Sequence, residues 1–182
     1  MCGAWQEDAI LMNVRIATPA DIAALVKVGQ RIHGETRFSA YDYNLERITA
    51  NLTEIICNGQ EKNGTHAVFI ADDHRAQIVG VLINAIERHI FSDLPVANML
   101  VYYVFPNNRM SGAGFKLLAA FRRWAENSAA FEVCASINSA VHLERSDRFL
   151  VRLGFLRTGG NYSLRTRSVR PAVKRPVSDD DY

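Results

Sequence analysis

The run Val104-Phe105-Pro106-Asn107-Asn108-Arg109-Met110-Ser111-Gly112-Ala113-Gly114-Phe115-Lys116-Leu117-Leu118 joins a strand end, a proline turn and a helix start marked by glycines. Glycine lets backbone N–H groups approach a ligand closely because no Cβ intervenes. A helix N-terminus adds unpaired N–H donors and a partial positive charge. Arg109 sets a permanent cation beside them. Together these features make an anion site suited to a pyrophosphate. No Gly-Lys-Ser/Thr follows, so the loop is not a Walker A loop. The glycines also miss the Gly-x-Gly-x-x-Gly spacing of a dinucleotide fingerprint. Gly112-x-Gly114 alone would fit an unliganded turn equally well. The order strand, Pro106, Arg109-x-x-Gly112-x-Gly114, amphipathic helix is more specific than the glycines themselves.

Such a loop needs a strand before it and a helix behind it, and the flanking pattern supplies both. Residues 98–104 read as a strong strand broken at Pro106, and residues 111–127 carry Phe115, Leu118, Phe121 and Ala125 at helical positions. Upstream, Asn13 to Ala17 reads as a short strand. Thr18-Pro19-Ala20-Asp21 reads as a helix start, with Thr18 as cap and Asp21 in the electropositive first turn. A second helix is expected after Asn44. His66–Ala71 and Gln77–Ile86 form a hairpin around Asp72-Asp73-His74-Arg75, and Phe91 to Pro95 reads as a loop. Phe131–Ala135 reads as a strand and Glu144–Leu153 as a helix stopped by Gly154. Residues 155–164 are expected to form closing strands. The order predicts an α/β (α+β) domain over residues 13–164, with a central sheet carrying helices on both faces. Residues 1–12 read as an N-terminal extension, with Met12 a candidate start. Residues 165–182 read as a disordered charged tail, basic at Arg165, Arg167, Arg170, Lys174 and Arg175 and acidic at Asp179 to Asp181.

Composition bounds the function. The chain has 182 residues and a net charge of +2, which argues against nucleic-acid binding as the main task. No apolar run is long enough to span a bilayer, so no membrane partner is expected. Three cysteines, far apart and without Cys-x-x-Cys, indicate neither a disulfide framework nor a zinc site, and a reducing cytoplasm is the default location.

At Arg109-Met110-Ser111-Gly112-Ala113-Gly114 the chain resembles the GNAT superfamily of acyl-CoA-dependent N-acyltransferases, whose coenzyme A loop reads Arg/Gln-x-x-Gly-x-Gly/Ala. Val104-x-Pro106, Leu117-Leu118, the opening Val14 to Ile22, Val79-Gly80-Val81 and Phe149 to Phe155 are similar to other parts of the family pattern. The resemblance implies a mixed, mostly antiparallel sheet with the fourth and fifth strands splayed apart and acetyl-CoA between them. Backbone groups around Tyr102, Tyr103 and Val104 would pair with the pantetheine. The N–H groups from Arg109 through Met110, Ser111, Gly112 and Ala113 to Gly114 would hold the pyrophosphate. Asn138 resembles an asparagine that touches the pantetheine; a loop cap is an equal alternative. No metal is implied.

The resemblance also implies an N-acetyltransferase acting by direct attack of an amine in a ternary complex. The acceptor would be an amine-bearing small molecule or a protein, and a homodimer is one option for assembly. Many family members carry a tyrosine four residues before the Gly of the late Gly-Phe, and it protonates the leaving thiolate. Here that position is Leu150. Tyr162 is the candidate substitute and Tyr102 a candidate lining residue. Glu87, beside His89, is the candidate base. Each has a bland alternative as a strand tyrosine, core residue or rim charge. Glu35 and Arg37 are candidates for recognising charged acceptor groups, or ordinary loop charges. Cys134 reads as a small strand residue rather than a nucleophile. Leu150 also leaves open a GNAT-fold acyl-CoA-binding or protein-interaction module with little catalysis.

Overall fold

The computed structural model describes residues 12–60 and 64–164. The N-terminal extension, apart from Met12, and the charged tail lie outside the described residues. The described residues divide into two compact units, one of residues 12–28, 45–60 and 64–136, the other of residues 29–44 and 137–164.

The first unit holds a five-stranded sheet in sequential order. Its strands are β1 (Asn13–Ile16), β2 (His66–Asp72), β3 (Ile78–Arg88), β4 (Pro95–Val104) and β5 (Glu132–Ala135). The first three pairings are antiparallel, and β5 runs parallel to β4. Helix α1 (Ile22–Glu35) starts in this unit, which also contains α2 (Leu45–Gln60) and α3 (Ala113–Asn127). Consecutive residues Ala67 to Asp72 are buried, so both faces of β2 are covered. One cover is α3, whose Leu117 lies against Gly80 on β3. Another is α2, whose Gly59 abuts the backbone of His66. Val68, Ile70, Leu82, Leu117 and Phe121 are fully buried between the layers. This is the mixed sheet that the sequence predicts.

Several boundaries differ for identifiable reasons. The entry to α1 is a short 3₁₀ turn, Pro19–Asp21. Asp21 serves more than the helix end. Its carboxylate accepts bonds from the Thr18 N–H at 2.8 Å and from Arg15 Nη1 and Nη2, each at 2.8 Å. Arg15 Nε also donates to Asp72 at 2.6 Å, so a single guanidinium ties β1 to β2 and to the helix entry. The Arg15 bonds, aided by Thr18, hold the Asp21 carboxyl well below the usual carboxylate range. Strand β4 begins at Pro95, at the first position where a missing N–H is tolerated.

The second unit contains the end of α1, the turn Arg37–Ala40 and α4 (Leu143–Arg152). Gly154, at φ +90°, ends α4 in the left-handed conformation, and the Phe155 N–H returns to the Leu150 carbonyl at 3.1 Å. The closing strands expected over 155–164 are absent: that segment carries no strand. Its sequence offers no alternating apolar face, and Leu156, Tyr162 and Leu164 are exposed. Side-chain bonds hold it instead. Asn161 Nδ2 donates to the Ile137 carbonyl at 3.3 Å, and Ser163 Oγ accepts from Arg37 Nη1 at 3.0 Å.

Candidate active site

Strand β4 has unlike halves. From Val96 to Met99 it is paired on both sides, with β3 and with Glu132 to Ala135 of β5. The β5 pairing ends at Met99–Ala135, yet β4 continues to Val104. Beyond Met99 the β4 ladder is with β3 alone and β5 does not take up the other edge, a template for an extended amide-bearing chain.

At the point where the strands part, β4 carries a bulge. Ile83 faces Val101 while Asn84 faces Met99, so Leu100 has no residue opposite it on β3. A bulge bends its strand and re-aims backbone groups, and bulges recur beside active sites. Leu100 is half-exposed between buried Met99 and partly buried Val101. Sequence reading placed the cofactor edge around Tyr102 to Val104 and missed Leu100. The run Met99-Leu100-Val101-Tyr102 is continuously apolar and gives no signal of an extra residue.

The open half of β4 leads into the glycine loop. Pro106–Asn108 make a 3₁₀ turn after Phe105. Arg109 folds back and donates from Nε to the Val104 carbonyl at 3.2 Å, which fixes its charge beside the strand end. Ser111 is not helical, as the sequence pattern suggested, but part of the turn. Its N–H and Oγ both donate to the Asn108 carbonyl, at 3.1 and 2.6 Å. Gly112 then caps α3 at φ +83°, a left-handed conformation that favours glycine. A Cβ at Gly112 would meet nothing within 4 Å, so its outer side is open. The Lys116 N–H donates to the Gly112 carbonyl at 3.0 Å, and the earlier N–H groups of α3 precede any intrahelical acceptor. Ala113 and Gly114 are buried, and Met110 is exposed.

Tyr102 points at this first turn, where a Cβ on Gly114 would collide with its hydroxyl. Burial pushes the Tyr102 hydroxyl up to about 12, so it stays protonated at neutral pH. Tyr103 is buried edge-on to Phe105, with ring centroids 5.5 Å apart. Glu87, exposed at the far end of β3, accepts a bond from Asn98 Nδ2 at 2.9 Å. His89 bonds locally, its Nδ1 accepting from the Phe91 N–H at 3.2 Å. Burial and Glu132 push the Cys134 thiol up, the opposite of what an activated nucleophile needs.

In the second unit, Arg37 is neither an idle loop charge nor a free recognition group. Its Nε donates to the Asn138 carbonyl at 2.6 Å, its N–H to the Ser139 carbonyl at 3.2 Å, and its Nη1 to Ser163. The guanidinium also lies 5.2 Å from the centre of the Phe38 ring. Asn138 is thus held by its main chain. Tyr162 is 97% exposed, and no strand holds it. Glu35 pairs with Arg31 one turn away on α1 at 2.7 Å.

No protein-family model and no curated protein matches the chain. Solved structures do match. An aminoglycoside N-acetyltransferase AAC(6')-Iy in complex with CoA aligns at a TM-score of 0.68 and 20% identity, over 87% of this chain and 96% of the other. The fold is that of the GNAT acetyltransferases. The same enzyme bound to a CoA–acetylneamine bisubstrate analogue aligns at 0.67 and 21%, over 86% and 98% of the two chains. Aminoglycoside 6'-N-acetyltransferase AAC(6')-Ih from Acinetobacter baumannii aligns at 0.62 and 18%, over 85% and 97%. In this chain β5 pairs with β4 from Val96 to Met99 and ends at Ala135, and the Arg109–Gly114 loop sits at the start of α3.

Proposed function

We propose that the chain is an N-acetyltransferase that moves the acetyl group of acetyl-CoA onto a primary amine by direct attack in a ternary complex. The observation that carries this reading is the open half of β4. It bulges at Leu100, loses β5 after Met99 and leads through residues 105–111 to the Gly112 cap of α3. The residues fit the cosubstrate. The edge of β4 that β5 leaves after Met99 would run beside the amides of a pantetheine. Arg109 and the N–H groups beyond Gly112 offer a cation and donors to a pyrophosphate. Acetyl-CoA supplies the activated acyl group; no metal is required.

The chain's own part is polarisation and proton handling. A bulged β4 N–H is the donor for the thioester carbonyl, aimed in advance by the fold. Glu87, fixed by Asn98, is the proposed acceptor of the amine proton. Tyr102 keeps its proton and is proposed to line the site. Tyr162 stays the proposed proton donor in place of the tyrosine that Leu150 replaces. An amine-bearing small molecule or a protein or peptide is the proposed acceptor, with a reducing cytoplasm, where acetyl-CoA is supplied, as the setting. The AAC(6') neighbours are named for aminoglycosides; fold likeness does not carry that acceptor to this chain.

Leu150 and the exposure of Tyr162 favour a second reading, an acyl-CoA-binding module with little catalysis. Two assays separate the readings: thermal shift with acetyl-CoA, and thiol release with a panel of amines that includes neamine. A shift with thiol release is expected. A shift without release from any amine supports the binding module, and no shift at saturating acetyl-CoA overturns both.

A further inference from the structure

One buried polar side chain, on the strand that faces the β4 bulge, has no hydrogen-bond partner among the described residues. Asn84, in the middle of β3, is 0% exposed, and neither its Oδ1 nor its Nδ2 has a hydrogen-bond partner among the described residues. A buried amide left unpaired is destabilising, and an apolar side chain of the same shape would carry no such cost. Buried polar groups of this kind call for an explanation.

The register supplies one. Asn84 faces Met99, Ile83 faces Val101, and Leu100 lies against the step between Asn84 and Ile83 with nothing opposite it. The pairing of β4 with β5 ends at that same Met99. Two sets of polar groups without ladder partners thus lie one residue apart, the Asn84 amide and the Leu100 backbone. A side-chain amide both donates and accepts. It can hold an ordered water whose remaining bonds reach groups too far away for direct contact.

We propose that Asn84 is a positioning residue for the thioester: through a bridging water, its amide fixes the bulged Leu100 backbone in the orientation that presents a β4 N–H to the thioester carbonyl. The proposal rests on the acetyl-CoA reading above. Asn84 touches no reacting atom in this account; it acts through the bulge. It explains why a polar residue occupies a core position whose neighbours Leu82 and Ala85 are apolar and buried.

The test is the infrared band of bound acetyl-CoA labelled with carbon-13 at the thioester carbonyl. It is recorded for the wild type, Asn84→Leu and Asn84→Ser, with acetyl-CoA affinity from calorimetry and melting of the free proteins. The wild type is expected to move the band to lower frequency relative to free acetyl-CoA. Asn84→Leu should melt no lower than the wild type, bind acetyl-CoA with unchanged affinity and lose most of the band shift. Asn84→Ser, which keeps a hydrogen-bonding group, should retain part of it. A full band shift in Asn84→Leu overturns the proposal, as does a wild type that binds acetyl-CoA without any shift. A wild type that binds no acetyl-CoA overturns the cofactor reading and the proposal together. If Asn84→Leu fails to fold, Asn84→Ala gives the same comparison, and a wild-type band shift in it is equally fatal.

Discussion

The two halves of β4 are neighbours in sequence and alike in composition, yet they do different work. Val96 to Met99 is locked between two strands, and Val96, Ala97 and Met99 are buried. Leu100 to Val104 keeps one neighbour, is displaced by the bulge and runs into the glycine loop. The paired half stabilises the fold. The open half is paired with β3 alone, from Val101 to Val104. Functional sites are commonly drawn from such less stabilised segments of a rigid frame. The difference teaches that this site is made chiefly of backbone, so substitutions act on it by filling space or reversing charge.

The largest effect should come from closing the open end. Gly112→Trp puts a ring into the empty space outside Gly112, and Arg109→Glu reverses the nearby charge. Each should abolish the thermal shift with acetyl-CoA while the free protein remains folded by circular dichroism. A normal shift in both would misplace the pyrophosphate end.

A smaller effect is expected just inside the loop. The family motif admits alanine at the last glycine, but here the Tyr102 hydroxyl occupies the space a Cβ would need. Gly114→Ala should therefore lose about 1–3 kcal/mol by overpacking, measured by urea unfolding. Tyr102→Phe in the same chain should recover most of that loss. Equal losses in the single and double variants would show that the hydroxyl is not the obstacle.

The smallest effect belongs far from β4, at Arg15 and Asp21. The Asp21 carboxyl is held well below its unfolded value of about 4. A lowered folded pKa gives stability that is complete above the unfolded value and is lost as pH falls below it. Melting temperature should thus drop below about pH 4 in the wild type. Asp21→Asn should flatten that part of the drop. An unchanged acid profile would mean that Asp21 contributes nothing to stability.

Much of this was legible in the sequence. The glycine loop could be read because glycine, proline and arginine spacing is itself the signal. The sheet order could be read because hydrophobic runs and turn residues mark each strand. Four features could not. The bulge at Leu100 leaves no trace in side-chain type, because it is a choice of register between two strands. Residues 155–164 looked like strands because they follow a helix stop, but a strand needs a partner, and no pattern of side chains states that one is present. Arg37 looked like a solvated charge because its three acceptors lie in residues 138, 139 and 163, far away in the sequence. Asn84 was passed over for a related reason: one polar residue in an apolar strand reads as noise until its lack of a partner is seen.

The contrast within β4 is tested most directly by amide hydrogen exchange with and without CoA. The account predicts slower exchange on binding at Leu100 to Val104 and at the start of α3, with Val96 to Met99 unchanged. Equal slowing in both halves of β4, or no change in the open half at saturating CoA, would contradict it.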